Sequence, residues 1–247
     1  MLEIKHFSKS YSNNNKATDD VNIVVESGDI YGFIGHNGAG KSTTIKATVG
    51  VLEFEEGDIF IDGNSVKKDP MACKRITAYL PDNPDLYENL TGIQYLNFVA
   101  DIYGVSAEDR EKRIKEYGDR LEITSALGDL IESYSHGMKQ KVALISALIH
   151  EPKLIVLDEP FVGLDPKAAH TLKEIMHEMC ERGSAVFFST HVLDVAQKLC
   201  NKVCIIKQGK IVTHGSIEEI IGDSSLEDVF LEITDDSESQ SADVADS

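Results

Sequence analysis

One octapeptide constrains this chain more than any other segment. Residues Gly35-His36-Asn37-Gly38-Ala39-Gly40-Lys41-Ser42 fit the pattern GxxxxGK[ST]. Just before them, Ile30 to Ile34 reads as a short buried strand, and just after them Thr43 to Val49 reads as the start of a helix. A strand that turns through such a loop into a helix commits the chain to an α/β fold. Each residue type has a physical reason to be there. The glycines let the backbone turn tightly and aim its N–H groups inward. The helix N-terminus adds positive potential where phosphates would sit. Lys41 supplies a point charge for β- and γ-phosphates, and the Ser42 hydroxyl can ligate Mg²⁺.

A second segment gives the loop a counterpart. Leu154-Ile155-Val156-Leu157-Asp158-Glu159-Pro160 is an apolar run ending in two acids, the pattern of a parallel strand buried on both faces. Ligands of open α/β sheets sit at the carboxyl ends of the strands. Asp158 is therefore expected to face a Mg²⁺ beside the phosphates. Glu159 should point differently and polarise an attacking water.

The whole chain is compatible with one such domain. It has 247 residues, of which 42% are hydrophobic, enough for a proper core. Its longest apolar run, Val142 to Ile149, is far short of the roughly 18–20 residues a spanning helix needs. No charged-then-apolar leader opens the sequence, so secretion is not expected. Cys73, Cys180, Cys200 and Cys204 form no CxxC pair; they read as reduced thiols rather than zinc ligands. The formal charge of −18 disfavours nucleic acid as a partner. From Asp223 to the end there are nine acids and no Lys or Arg. Residues 235–247 have almost nothing to bury and read as a disordered acidic tail.

Local patterns fill in the rest. Leu2–Phe7, Val21–Val25 and Asp58–Ile61, the last before an Asp62-Gly63 turn, read as N-terminal strands. Residues of about 87–135 read as helical, with Tyr95, Phe98, Val99 and Ile102 at one spacing and a charged stretch from Glu108 to Arg120. Lys139 to Ile149 has apolar residues at helical spacing. A strand Ala185–Phe188 is followed by a helix to about Leu199. A strand pair then follows, Val203–Ile206 and Lys210–Val212, turning at Gln208-Gly209. There is no internal repeat.

With these motifs in this order, the chain resembles the nucleotide-binding domain of ABC transporters over nearly its whole length, the tail excepted. The resemblance implies a P-loop NTPase core with a mixed central sheet, an N-terminal antiparallel β subdomain and an inserted α-helical subdomain at about 87–135, all within residues 1–234. It implies ATP and Mg²⁺ as ligands. Residues Gly35 to Ser42, with Thr43, would bind the nucleotide phosphates. Tyr11 sits where the family stacks an aromatic ring on adenine. Tyr134-Ser135-His136-Gly137-Met138 sits where the family has its LSGGQ signature, which caps the ATP of an opposite subunit. Ser135 and Gly137 match that motif, whereas Tyr134, His136 and Met138 depart from it, and His136 replaces the first glycine. Gly163-Leu164-Asp165-Pro166 matches the D-loop of the dimer interface. His191, in Ser189-Thr190-His191, stands at the switch histidine that contacts the γ-phosphate. Asp82 stands where the family has the Q-loop glutamine, a Mg²⁺ ligand and link to the membrane subunit; an aspartate is still a hard oxygen donor.

Several features resemble exporter subunits: Gly35-His36-Asn37-Gly38, Leu80-Pro81-Asp82-Asn83-Pro84, the Tyr134–Gln140 run and Leu226-Glu227-Asp228-Val229-Phe230. The implied partners are integral-membrane permease subunits and a second ATP-binding subunit, identical or not. The implied location is cytoplasmic, on the inner face of the cell membrane through the permease. Two other readings stay open. One is an ABC ATPase working outside transport, in assembly, repair or translation; the other is an ATP-dependent dimerisation module with little hydrolysis, which Asp82 and His136 keep alive. A small-molecule kinase would need neither the signature nor the D-loop.

Overall fold

The computed structural model describes residues 1–12 and 15–233. The expected acidic tail lies outside the described residues.

Two sheets organise the chain. The first is antiparallel, in the order β2-β1-β4-β5, built from β1 (Leu2–Ser12), β2 (Asn15–Val25), β4 (Glu56–Ile61) and β5 (Asn64–Ser65). The second has six strands in the order β10-β9-β3-β8-β7-β6. Here β3 (Ile30–Ile34), β6 (Thr77–Leu80), β7 (Leu154–Asp158), β8 (Ala185–Thr190) and β9 (Lys202–Lys207) run parallel, and β10 (Lys210–Ser216) closes one edge antiparallel. The sheet is therefore mixed, as expected.

The parallel strands are apolar throughout because both their faces are covered. On β7, Ile155 and Leu157 join the core on the helical side, while Leu154 and Val156 join the core shared with the antiparallel sheet. On β8, Val186 and Phe188 face the helices and Phe187 faces the other way, where it packs on Phe33 and Tyr31. The result is three layers: antiparallel sheet, mixed sheet, helices. A fully buried side chain of this size contributes about 1.5–3 kcal/mol, so these alternating rows hold the layers together.

Several elements are longer than their apolar patterns suggest. Strands β1 and β2 extend past Phe7 and begin before Val21, because bulges interrupt their alternation. His6 (φ 50°) and Asp20 (φ 56°) mark the irregularity and join through Nδ1···Oδ1 at 2.8 Å. The Asp62-Gly63 turn has φ of 50° and 80°, the two positive values a two-residue hairpin turn needs. Strand β10 continues to Ser216, beyond the expected Val212.

Residues 87–135 contain α3 (Gly92–Ile102), α4 (Ala107–Arg120) and two 3₁₀ turns. Thr91 and Gln94 form a capping box at the start of α3. The face of α3 that enters the core carries Gly92, Leu96 and Ala100, with Tyr95 and Val99 half-buried against it. Phe98 and Ile102 are exposed, at 43% and 65%. Helix α5 (His136–Leu148) follows, with α6 (Pro166–Glu181) and α7 (Leu193–Leu199) further on. All four cysteines are buried free thiols. No helix among the described residues is long and apolar enough to cross a membrane.

His150, just past α5, stacks flat on Tyr103 at 3.7 Å between centroids. Burial, aided by the charge of Arg113, holds its imidazole down at about 4. An unfolded chain would protonate it near 6.5. Between these values the unfolded state binds more protons, so folding stability falls as pH drops from about 6.5 to 4. This one group contributes at most about a tenfold change in the folding constant per pH unit. We expect His150→Phe to flatten that part of the profile; urea unfolding at pH 7 and pH 5 measures it.

Candidate functional site

The carboxyl ends of β3, β7 and β8 lie side by side, and the loops leaving them build one cleft. Register fixes the arrangement: Phe33 pairs with Ser189 and Ile34 with Thr190, while Asp158 pairs with Ser189. The loop after β3, the acids after β7 and the histidine after β8 therefore meet at one edge.

The loop from Gly35 to Gly40 turns into helix α1 (Lys41–Thr48), which begins two residues before Thr43. Gly40 caps this helix at φ 110°, and a β-carbon there would lie 2.5 Å from the Ala17 carbonyl oxygen. A β-carbon at Gly35 would lie 2.5 Å from the Ile206 carbonyl oxygen. Both glycines are thus required by close backbone approach. Lys41 is only 6% exposed. Its ammonium donates to the carbonyl oxygens of Gly35 (2.6 Å) and His36 (3.3 Å).

Across the cleft, Asp158 is buried and accepts a hydrogen bond of 2.5 Å from the Ser189 hydroxyl. The same hydroxyl accepts from the Glu159 backbone N–H at 3.1 Å. Glu159 has φ 49°, a left-handed conformation that costs a non-glycine residue about 1–2 kcal/mol. That twist leaves the strand direction and turns the Glu159 carboxylate between the Lys41 ammonium and the His191 ring. Oε1 lies 3.6 Å from the Lys41 ammonium, and Oε2 lies 3.0 Å from His191 Nδ1.

The cleft has a volume of about 340 Å³ and is lined by Tyr11, Ala17, His36, Asn37, Gly38, Gly40, Lys41, Ser42, Thr43, Asp82, Asp158 and Glu159. Tyr11 stands at its mouth, 63% exposed, with its hydroxyl 3.3 Å from Thr43 Oγ1. Its ring face is free to receive a planar group. Asp82 comes from the loop after β6, a strand paired with β7. Burial, with the charges of Asp158 and Asp82, pushes the phenol of nearby Tyr79 up to about 12. Ser42, Asp82 and Asp158 together offer hard oxygen donors, the set that suits Mg²⁺ completed by phosphate and water.

Sequence reasoning grouped most of these residues but missed three contributions. Ser189 bridges the two acids; its signal was a lone hydroxyl in line with Asp158 at the end of an apolar strand. Ala17 approaches the loop through its backbone, which leaves no mark in sequence. Phe230 packs edge-on against the His36 ring, 4.8 Å between centroids, from the far end of the chain.

Ser135 and Gly137 do not line this cleft. Ser135 is the N-cap of α5, its hydroxyl accepting from Met138 N–H at 3.3 Å. The helix therefore starts at His136, three residues before the expected Lys139. His136 lies over Gly163, where a β-carbon would come within 2.5 Å of its Cδ2. Asp165 caps α6 through Ala168 N–H and pairs with Lys141 of α5 at 2.9 Å. Helix α5 and the loop 161–165 are thus locked together on one surface. Gly163 also has φ 79°. We expect Gly163→Ala to reduce ATP turnover at least several-fold, with partial recovery when His136→Gly is added; steady-state hydrolysis of the two variants checks it.

The comparisons with known proteins agree with this geometry. The family model for the ABC transporter matches residues 18–162. The ABC-type transporter ATP-binding protein EcsA of Bacillus subtilis is 36% identical over 95% of this chain and 96% of its own length. The ABC transporter ATP-binding protein NatA of the same organism is 31% identical over 87% of each chain. A solved structure described as the ATP-binding subunit of an ABC transporter superposes with a TM-score of 0.90, at 36% identity, over 95% of this chain and 99% of its own. The cbiO1 protein of Clostridium perfringens, part of the ABC transporter complex cbiONQ, superposes at 0.76 with 26% identity, over 90% of each chain. Motif order, cleft geometry and these likenesses converge: the chain belongs to the ABC transporter family, as one of its ATP-binding, ATP-hydrolysing subunits.

Proposed function

We propose that this chain powers an exporter, binding MgATP between two such subunits and transmitting its hydrolysis to a membrane permease. The observation that carries the reading is the Glu159 carboxylate held between Lys41 and His191 beside the phosphate loop.

The roles follow from chemistry. The Tyr11 ring stacks on adenine. The N–H groups of residues 35–43 and the N-terminus of α1 hold the phosphates. Lys41 turns from Glu159 toward the β- and γ-phosphates, so Glu159 loses a cationic neighbour as substrate arrives. A bound Mg²⁺, held by Ser42 and Asp158 with Asp82 nearby, would neutralise phosphate charge. Glu159, freed on one side, orients and deprotonates a water for in-line attack on the γ-phosphorus. His191, its Nδ1 3.0 Å from Glu159 Oε2, keeps the carboxylate in place and contacts the γ-phosphate. Ser189 fixes both acids through one hydroxyl. Ser135 and Gly137, which lie outside the cleft of their own chain, cap the phosphate of a partner subunit's ATP.

The permease contact is assigned to the exposed apolar surface of the helical insertion, about residues 87–135, next to the loop that carries Asp82. Tyr87 and Phe98 touch ring to ring at 5.7 Å, and both are largely exposed, with Ile102 beside Phe98 on the same helix. An aromatic patch without a cover marks a protein contact. A short helix of a permease loop fits it. Export as the direction rests on the resemblance of the local motifs. The relative cbiO1 is described as part of a transporter complex, which supports a permease partner here.

Three outcomes test the reading. Glu159→Gln should slow hydrolysis by about 10²–10⁴-fold, the usual weight of a general base, while ATP binding survives. Lys41→Ala should abolish tight ATP binding in calorimetry; unchanged affinity would refute the phosphate-loop role. Phe98→Glu should uncouple transport from ATPase in membranes holding the permease, with basal hydrolysis intact, and equal loss of both would count against the docking surface.

A further inference from the structure

The chain's last described helical segment reaches back to the nucleotide cleft. Residues 226–233 are helical, capped by a reciprocal pair: Asp228 N–H donates to Ser225 Oγ at 3.1 Å, and Ser225 N–H donates to Asp228 Oδ2 at 3.1 Å. The segment is anchored at both ends. Leu226 is fully buried and its N–H donates to Gln197 Oε1 at 2.9 Å, while the Lys207 ammonium donates to the Ile233 carbonyl at 3.0 Å. Gln197 belongs to α7, which begins two residues after His191. Between the anchors, Phe230 is 8% exposed and meets the His36 ring edge-on.

His36 links that contact to the chemistry. It lines the cleft, and its carbonyl oxygen accepts from the Lys41 ammonium at 3.3 Å and from Ala39 N–H at 3.1 Å. A side chain that fixes the His36 ring therefore fixes the carbonyl that aims Lys41. The middle of the loop has little packing of its own, since Gly38 has nothing within 4 Å of where a β-carbon would stand, whereas its ends are held at Gly35 and Gly40 by close backbone contacts. An aromatic contact from outside the loop adds a restraint at His36, between those ends.

We propose that Phe230 is a positioning residue for nucleotide binding, acting through His36, so that the segment 226–233 straps the phosphate loop to the helix behind the switch histidine. Phe230 touches no substrate atom; it preorganises the loop that does. The entropy of ordering the loop is then met before ATP arrives, which raises affinity without a new contact to ATP. The strap also ties the loop to α7, so loosening one end should be felt at the other. This inference rests on the phosphate-loop role proposed for Lys41.

The test uses the full chain and MgATP. Phe230→Leu keeps the buried bulk and removes the ring. Calorimetric titration should show ATP affinity weakened by about 2- to 12-fold, the range an aromatic pair is worth. KM for ATP should rise by a similar factor, with kcat changed less. Phe230→Tyr should restore both. His36→Ala should produce the same loss, and the double variant His36→Ala with Phe230→Leu should be no worse than either alone. A purely structural Phe230 would instead lower the melting temperature of the ATP-free chain and leave ATP affinity intact, which would overturn the proposal, as would additive losses in the double variant. Lys41→Ala runs beside them. If it binds ATP normally, the phosphate-loop role itself fails. If it loses binding while the Phe230 variants keep full affinity, only the strap fails.

Discussion

A buried ammonium sets the terms for the whole cleft. Removing a charged amine from water costs several kcal/mol unless it is paired and hydrogen-bonded, and Lys41 is 6% exposed. Two loop carbonyls and a carboxylate meet it. The carbonyls of Gly35 and His36 can reach it only if the loop curls over α1, and the loop can curl only if Gly35 and Gly40 admit the backbones of Ile206 and Ala17. The carboxylate can reach it only if Glu159 accepts a left-handed backbone. Backbone strain, glycine placement and charge burial are thus parts of one solution.

That solution depends on the order of the central sheet. Strand β3 lies between β8 and β9, and β8 lies between β3 and β7. Neighbouring parallel strands in register end at the same height, so their outgoing loops converge. Ser189 shows how fine the placement is. One hydroxyl at the end of β8 donates to Asp158 and accepts from the Glu159 backbone, orienting two acids whose separate directions the site needs. A shift of one residue in the β7–β8 register would put Phe188 or Thr190 opposite Asp158 and turn the Ser189 side chain to the other face of the pairing.

How much was legible in the sequence follows from the same physics. Strands β3, β7 and β8 are buried on both faces, so their apolar runs announced them, and the acids and glycines that end them announced the cleft. Strands β1 and β2 were only half visible, because bulges at His6 and Asp20 break the alternation that marks a strand. The core face of α3 was left open by spacing, because apolar residues lie on more than one side of the helix. Gly92, Leu96 and Ala100 enter the core with Tyr95 and Val99 half-buried beside them, while Phe98 and Ile102 stay out as an exposed apolar surface. Long-range pairings such as His36 with Phe230 were invisible, since 194 positions of chain separate them and no local pattern encodes the meeting.

The charge balance of the cleft suggests why nucleotide and divalent cation belong together in the proposed cycle. Three carboxylates, Asp82, Asp158 and Glu159, line it against the single ammonium of Lys41. The phosphates of ATP bring more negative charge into a space of about 340 Å³. Bare ATP would be repelled by the wall that carries Asp82 and Asp158, even as the loop N–H groups attracted it. A divalent cation reverses the sign of that wall's effect, turning the acids from a barrier into ligands. On the proposed roles, Glu159 would gain freedom as Lys41 left it for the phosphates, so the arrival of substrate would itself prepare the base. The acids that repel a bare polyanion are the groups that would make the cleft reactive toward one bound with its cation.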